Sequence, residues 1–518
     1  MDATPVDEKR GWVLKKTNSP LDRDVLSQAL KSDPTMSAER VLYSQFLRLP
    51  GIVDYLAAAY LLAIIITACA SPTAKNPGGG APGSSRAEPS AAVGPRFTQG
   101  GPDAEQYGAR EGYPIGERGT CQRIAFLVGC QSHLDQVYEG RLVRRATTPS
   151  LLARAASEPA VRYEYQAQKF TLDDYLARNP TTGLLVAQGD TILLERYQYA
   201  RHDRHRFTSW SMAKTVTAML IGIAIEEGRI RSVDDPAAAY VPALADTEYG
   251  RTSLRHLLQM SSGVRFIEEY RENDDVARLV VDTFRQIGSG GVEAVTPFNV
   301  RIAPSGTRFY YASVETQVLG LVLRNAVGRP VADYLQEKIW EPIGAEADAT
   351  WLIDRAGQEA TYCCLNAVLR DYARLGLLLA HDGQWRGRQI IPAAWIKEAT
   401  IVRPGQPQPA TGGYGYQVWI LAGERRMFAL RGVRGQAIYV DPASGLVMVH
   451  TAVRKQGPRS GSPRGERAMA GSRATARPLI AEDGFIGPRS CSSTSLRTSS
   501  EQGVLALALP VSRLGLEL

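Results

Sequence analysis

The sequence Phe207-Thr208-Ser209-Trp210-Ser211-Met212-Ala213-Lys214-Thr215 opens a long, mainly apolar run that continues to Glu227 and stops at Gly228. The length of the run and the glycine after it predict a buried helix over 211–227. Ser211 and Lys214 are three residues apart, a spacing that places both side chains on one helix face. A serine hydroxyl needs a base to become a nucleophile, and a buried lysine with a lowered pKa can serve as one. The pair therefore predicts a serine nucleophile at the start of this helix.

The spacing of Ser211 and Lys214 is a weak signal without its context, because a chain of this length contains about one S-x-x-K by chance. Its position strengthens it, since an unpaired lysine three residues into an apolar helix is costly unless it has a function. An exposed lysine on a surface helix is the alternative.

A second candidate lies in Pro304-Ser305-Gly306-Thr307-Arg308-Phe309-Tyr310-Tyr311-Ala312-Ser313. Pro and Gly predict a turn, and a helix is predicted to begin near Ser313 or Val314. A tyrosine at such a junction reaches into a cleft and relays a proton if a neighbouring positive charge lowers its pKa. Tyr311 is the candidate, with Lys214 as the neighbour, and simple core or surface packing is the alternative.

The elements around these two segments predict the fold class. Gly183–Ala187 and Thr191–Glu195 flank a Gly-Asp turn and read as a β-hairpin. The chain then passes through predicted helices and ends in predicted strands: Leu254–Met260, Thr316–Val327, Val331–Lys338 and Ala367–Ala380, followed by Met427–Arg431, Ala437–Val440 and Leu446–Val453. This order, without βαβ repetition, predicts an α+β fold with an antiparallel sheet built from both ends of the domain.

From about Gly183 to Val453 the chain resembles the serine β-lactamase, DD-peptidase and carboxylesterase superfamily. The nearest likeness is to amidases of the 6-aminohexanoate-dimer hydrolase type and to class C β-lactamase-like esterases. Its S-x-x-K corresponds to 211–214, its H-L-L-x-x-x-S-G to 256–263, its Y-x-N turn to 304–313, and a helix behind the site to 338–344. Tyr311 takes the tyrosine position, and Ser313 stands where many members have Asn.

The resemblance implies a β-lactamase-like fold, in which an antiparallel sheet flanked by helices meets a mainly helical region at the active site. It also implies that Ser211 forms an acyl-enzyme, while Lys214 and Tyr311 activate it and then protonate the leaving group. The Ser211 N–H and the Val433 N–H would hold the oxyanion.

The last part of the site departs from the superfamily pattern. Many members have K-T-G, whereas this chain has Leu430-Arg431-Gly432-Val433-Arg434-Gly435-Gln436. Gly432 is expected to let the substrate approach, and the missing lysine argues against penicillin recognition. Arg431 or Arg434 replaces its charge, or both arginines are surface residues.

A loop that follows Ser262-Gly263 carries Phe266-Ile267-Glu268-Glu269-Tyr270. The amidase subgroup has a tyrosine in this loop near the leaving nitrogen, so Tyr270 is a candidate proton donor. Glu268 or Glu269 is a candidate partner for a substrate amine. The alternative is a surface loop without a catalytic role.

The composition indicates an ordinary globular protein with scattered charge. The formal net charge is +7, but the basic residues form no stripe with interleaved aromatics, so we expect no nucleic-acid partner. Neither the cysteines nor the histidines have metal-ligand spacing, and we expect no metal or cofactor. The oligomeric state stays open.

The apolar stretch Tyr55–Ala68 is shorter than the roughly 20 residues that span a bilayer and has the size of a signal-peptide core. Ile66-Thr67-Ala68-Cys69 resembles a bacterial lipobox, with Cys69 as the lipidation site. This pattern predicts a membrane-anchored lipoprotein facing the periplasm or cell exterior, with a plain membrane anchor and a short buried helix as alternatives.

An exported protein meets an oxidising compartment. Cys121 and Cys130 are then either a disulfide or two free thiols, whereas the adjacent Cys363 and Cys364 are expected not to bond each other.

We divide the chain into six segments on these grounds. They are a doubtful N-terminal extension (1–35, with Met36 as the expected start), a signal peptide with lipobox (36–69), a flexible tether (70–101), a lead-in region (102–180), the catalytic domain (181–454) and a tail (455–518). The tail lacks periodicity, as expected of a low-order segment or of a translation in the wrong reading frame.

The predicted function is a serine hydrolase for a small-molecule amide or ester. The alternatives are a carboxylesterase or weak β-lactamase, and an inactive lipoprotein that binds cell-wall peptides.

Overall fold

The computed structural model describes residues 93–455 with the exception of 166, 272, 282, 284–287 and 411. The predicted extension, the signal peptide with Cys69, most of the tether and nearly all of the tail lie outside the described residues. Within the described part, no helix is both long enough and apolar enough to cross a bilayer.

The secondary structure alternates short strands with mostly short helices. The strands, in chain order, are β1 Arg96–Phe97, β2 Gly140–Val143, β3 Ala153–Arg154, β4 Arg162–Tyr165, β5 Gln168–Thr171, β6 Thr181–Gln188, β7 Thr191–Tyr197, β8 Phe207–Thr208, β9 Ala349–Leu352, β10 Leu365–Ala367, β11 Gln384–Trp385, β12 Arg388–Gln389, β13 Gly413–Tyr414, β14 Trp419–Ile420, β15 Phe428–Gly432, β16 Gln436–Asp441 and β17 Leu446–Ala452. The helices are α1 Leu127–Gln131, α2 Leu134–Val137, α3 Leu172–Arg178, α4 Ala213–Glu226, α5 Leu254–Leu258, α6 Asp275–Val280, α7 Ser313–Val327, α8 Val331–Leu335, α9 Leu369–Ala380 and α10 Ala393–Ala399.

The main sheet has the order β1-β7-β6-β17-β16-β15-β14-β13, with β3 also beside β7. All its pairs from β7 to β13 are antiparallel, whereas β1 and β3 run parallel to β7. The predicted hairpin forms β6 and β7, and β6 pairs with β17 from Gln188↔Leu446 to Thr181↔Ala452. The predicted α+β class, with an antiparallel sheet built from both ends of the domain, is confirmed.

Helix α9 covers one face of the central strands β6, β16 and β17. Gly376 of this helix permits the close approach, because a Cβ there would lie 2.5 Å from Val447 Cγ1 and 2.8 Å from Ile438 Cγ2. Helix α4 is buried along most of its length, from Ala213 to Ala224, and packs against α7. The two helices carry the candidate residues Lys214 and Ser313.

The division of the N-terminal part needs correction. Residues from 93 onward belong to the fold: Arg96–Phe97 pairs with Arg196–Tyr197 along the edge of the main sheet, so the predicted tether reaches too far. Within the predicted lead-in region, β2 pairs with β9 and β3 pairs with β7. Backbone hydrogen bonding thus joins 93–180 to the region predicted as the catalytic domain.

The structure contains two disulfides among the described residues, of which one was an open alternative and the other was not expected. Cys121 and Cys130 form a disulfide, with their Cα atoms 5.7 Å apart. Cys363 and Cys364 are also bonded to each other, contrary to the expectation. Cys364 has a φ of +67°, in the left-handed region, so the turn has a backbone conformation that regular strand or helix geometry would not supply.

Candidate active site

Ser211 lies on a single 3₁₀ turn, Trp210–Met212, that leads into α4. The helix therefore begins two residues later than predicted. Trp210, directly before the serine, has a φ of +44°, an uncommon conformation for a residue with a side chain. Ser211 is partly exposed, whereas Met212 and the residues after it are buried.

Lys214 is 1% exposed, and three oxygen atoms lie close to its side-chain nitrogen. Its Nζ lies 3.2 Å from Ser211 Oγ, 2.9 Å from Ser313 Oγ and 2.9 Å from the carbonyl oxygen of Tyr362. The predicted pair is thus in contact, and the lysine is buried as the sequence pattern requires. The Tyr362 carbonyl is a participant that the sequence did not reveal.

Tyr311 lies beside Lys214, as predicted. The lysine nitrogen is 5.0 Å from the centroid of the phenol ring. The ring stacks on Trp419 at 5.6 Å and meets Tyr414 edge-on at 6.2 Å. This aromatic packing fixes the ring in the buried wall of the site, next to the amine.

Glu268 connects the predicted loop to the lysine. Its carboxylate is buried and accepts hydrogen bonds from Ser313 Oγ at 2.8 Å, from the Ser313 backbone N–H at 2.6 Å and from the Tyr270 hydroxyl at 2.9 Å. Ser313 in turn accepts from Lys214. A continuous chain of hydrogen bonds therefore runs from Ser211 through Lys214, Ser313 and Glu268 to Tyr270.

Glu269, the neighbouring candidate, is not part of this chain. Its carboxylate forms an ion pair with Arg271 at 2.9 Å, and its backbone N–H donates to Asp274. The two adjacent glutamates thus have different partners: Glu268 binds Ser313 and Tyr270, whereas Glu269 pairs with Arg271.

Gly432 lies against the turn that carries the nucleophile. A Cβ at this position would be 2.5 Å from the Ser209 carbonyl oxygen and 3.0 Å from Trp210 Cβ. The end of β15 can approach Ser209 and Trp210, directly before the nucleophile, so closely only because residue 432 has no side chain. Val433 follows directly, in the tight turn Val433–Gly435.

The two candidate arginines of this strand have different positions. Arg431 lies over the Trp419 ring, with its Cζ 5.7 Å from the centroid. It therefore borders the aromatic wall formed by Tyr311, Tyr414 and Trp419. Arg434 has a φ of +63° inside the turn, and its guanidinium donates to the Arg454 carbonyl and to Gln122. These contacts hold Arg434 against the segments of Gln122 and Arg454, and its substrate-binding role stays a prediction.

The H-L-L-x-x-x-S-G stretch supports the turn that precedes Tyr311. His256 Nδ1 lies 2.8 Å from Ser305 Oγ, and Gly306 leaves the space that the imidazole fills. Ser262 donates to the Glu315 carboxylate at 2.6 Å. Glu315 is deeply buried, and this burial raises its pKa to about 8.

A family model described as Beta-lactamase matches residues 171–471, more than half of the 518 residues. The chain belongs to the beta-lactamase family. It is also 26% identical over 330 residues to a 6-aminohexanoate-dimer hydrolase of Paenarthrobacter ureafaciens, which covers 60% of this chain and 82% of that protein. A penicillin-binding protein 4 of Amycolatopsis lactamdurans is 28% identical over 149 residues, 28% of this chain and 36% of that protein.

A solved structure from Bacillus anthracis, described as a 6-aminohexanoate-dimer hydrolase, shares the beta-lactamase-like fold. The TM-score is 0.60 at 23% identity, over 68% of this chain and 94% of that one. The predicted superfamily and its fold are thereby confirmed, and the chain is a hydrolase of the beta-lactamase family.

Proposed function

We propose that the protein is a serine hydrolase that cleaves amide or ester bonds through an acyl-enzyme on Ser211. The observation that carries this proposal is the contact between Ser211 Oγ and Lys214 Nζ at 3.2 Å, with the lysine buried at the start of α4. The partial exposure of Ser211 leaves its oxygen accessible to a carbonyl carbon.

The hydrogen-bond partners of Lys214 support its role as the base. The Tyr362 carbonyl only accepts, and Ser313 donates its own hydroxyl hydrogen to Glu268. Both therefore accept from the lysine. A neutral amine can donate its N–H bonds to acceptors of this kind and take the Ser211 proton on its nitrogen.

The reaction then follows two balanced steps. Ser211 Oγ bonds to the carbonyl carbon while its proton passes to the Lys214–Tyr311 pair. As the substrate bond breaks, this pair returns one proton to the leaving group, directly to a departing oxygen and by way of Tyr270 to a departing nitrogen. Water repeats the sequence on the acyl-enzyme and restores the serine. The backbone N–H groups of Ser211 and Val433 are the proposed donors to the oxyanion.

Tyr270 is the proposed proton donor to the leaving nitrogen of an amide. Its hydroxyl bonds to Glu268, within the same chain of hydrogen bonds as Lys214. An amine is a poor leaving group without a proton, so a phenol at this place favours amides over activated esters.

We propose a small linear amide as the substrate class, with an ester as the second choice. The relative from Paenarthrobacter ureafaciens is named for an amide-linked dimer. The sequence at 430–436 lacks the K-T-G lysine, which argues against a penicillin. Arg431, beside the aromatic wall, is better placed than Arg434 to meet a negatively charged acyl group.

A serine-reactive fluorophosphonate tests the nucleophile directly. The purified protein should take one label, located at Ser211 by peptide mass spectrometry, and Ser211→Ala should take none and hydrolyse neither p-nitrophenyl acetate nor a linear amide. Ser157→Ala, which removes an exposed serine, is the matched control and should behave like the parent. A folded parent protein that takes no label would refute the proposal. A panel of esters, linear amides and a chromogenic cephalosporin would then rank the substrate classes.

A further inference from the structure

A cavity of about 300 Å³ lies between the segment around α2 and the loop that joins β7 to β8. None of its lining residues belongs to the hydrogen-bonded chain from Ser211 to Tyr270. This volume is in the range of small-molecule sites. Its lining is polar and rich in imidazole and guanidinium groups: Ser132, His133, Asp135, Gln136, His202, Arg204, His205 and Arg206.

The hydrogen bonds of the three histidines determine which ring nitrogens carry hydrogen. His205 Nδ1 accepts from the His202 backbone N–H at 3.0 Å, and His202 Nδ1 accepts from the Arg204 backbone N–H at 3.2 Å. Each of these rings therefore carries its hydrogen on Nε2 as a neutral imidazole. His133 Nδ1 lies 2.9 Å from the Gly129 carbonyl, so it donates there. The loop thus supplies two imidazole N–H donors, from His202 and His205.

The positive charge beside the cavity exceeds the negative charge. Asp135 lines the cavity but is bound by Arg206 at 2.6 Å and by the Thr350 hydroxyl at 2.9 Å. Asp203, on the same loop, pairs with Arg370. Arg204 is exposed and forms no ion pair with the part of the chain that the structure describes.

Arg201 adds a buried positive charge behind the cavity. It is 6% exposed, and its guanidinium bonds to Ser132 Oγ at 2.8 Å and to the Tyr199 carbonyl at 3.0 Å, both neutral groups. Its contacts with residues in 93–455 include no carboxylate. Burial, followed by the charge of Arg201, lowers the pKa of His205 to about 3, which keeps this ring neutral. A buried charge with only neutral partners is costly, and an anion in the adjoining cavity would compensate it.

We propose that this cavity is a second binding site, for a small oxyanion: a phosphate or carboxylate group held by Arg204 and the imidazole N–H groups of the loop. Guanidinium groups match the geometry of both anions. The loop leads through β8 to Ser209, and the Trp210 indole donates to Gln131, next to Ser132. Binding therefore stabilises the segment that leads to the nucleophile, although the site takes no part in the chemistry.

Thermal unfolding of the full chain tests the site. Inorganic phosphate and succinate are titrated separately against sodium chloride at equal ionic strength, because a ligand that binds only the folded protein raises the Tm with its concentration. We expect at least one oxyanion to raise the Tm in a saturable way, and the more effective one identifies the chemical group. A Tm that follows ionic strength alone for both anions would overturn the proposal.

Arg204→Gln locates the site, with Arg388→Gln, another exposed arginine, as the matched control. Loss of a charge-assisted hydrogen bond should weaken anion binding by about tenfold in the first variant and leave it unchanged in the second. Imidazole ¹⁵N spectra should show shifts of the Nε2–H signals of two histidines on anion binding in the parent. Equal affinities in both variants, or a response to Zn²⁺ and to neither oxyanion, would refute the assignment.

Discussion

Replacement of Glu315 by Gln should change how the stability of the protein depends on pH. Glu315 lies in the first turn of α7, and its Oε1 accepts from the Ser262 hydroxyl at 2.6 Å and from the Ser262 N–H at 3.3 Å. Its second oxygen is buried without a hydrogen-bond partner among the described residues. Glutamine keeps the shape and the acceptor but has no charge.

The size of the change in the free energy of unfolding with pH follows from the raised pKa of Glu315. Burial raises the pKa of this carboxyl from 4.5 to about 8, so between these values the folded protein binds more protons than the unfolded chain. The stability connected with the neutral carboxyl is fully present below about pH 4.5 and is lost as the pH rises through 8. Integration from pH 5 to pH 8 gives a loss of about 3 kcal/mol.

Urea denaturation at pH 5, 6, 7 and 8 measures this loss. Glu315→Gln should resemble the parent at pH 5 and become more stable than the parent by about 3 kcal/mol at pH 8. Glu293→Gln, at an exposed glutamate, should differ from the parent by no more than about 0.5 kcal/mol at every pH. A stability difference between Glu315→Gln and the parent that stays constant from pH 5 to pH 8 would refute the reasoning.

Three further predictions concern the active site. Gly432→Ala should reduce kcat/KM for an ester by about 100-fold, because its Cβ would lie 2.5 Å from the Ser209 oxygen; ester kinetics with an unchanged rate would contradict the close approach. Ser313→Ala should lower kcat by about tenfold and shift the pH–rate profile, because Lys214 loses an acceptor; Ser313→Asn should restore most of the rate, and a full rate in the alanine variant would remove the role of the serine. Tyr270→Phe should reduce amide hydrolysis more than ester hydrolysis in parallel assays, and equal losses would exclude it as the donor to the leaving nitrogen.

The parts of the fold that follow local rules could be predicted from the sequence. The hairpin of β6 and β7 depends on a Gly-Asp turn between two apolar runs, and the Ser211–Lys214 contact depends on a spacing of three residues. These features need only neighbouring residues to be in place. The sequence pattern also predicts the strand β17. That the sheet combines strands from both ends of the domain follows instead from the order of strands and helices along the chain.

The parts that the sequence did not reveal depend on contacts between distant segments. The Tyr362 carbonyl reaches Lys214 across 148 positions, and a backbone oxygen has no signature in residue types. Glu268 and Glu269 are alike in sequence, and only the folded loop distinguishes them. The bond between Cys363 and Cys364 likewise depends on a left-handed turn that neither cysteine encodes alone.

The pairing of β6 with β17 has a consequence for folding during synthesis on the ribosome. The strand that starts the catalytic region finds its partner only when residues 446–452, more than 250 positions later, have been synthesised. Until then the edge of β6 has unpaired N–H and C=O groups, a state prone to association with other chains. Chain termination before β17 should therefore leave an aggregating fragment rather than a smaller enzyme, and termination after Lys455 should leave the sheet complete.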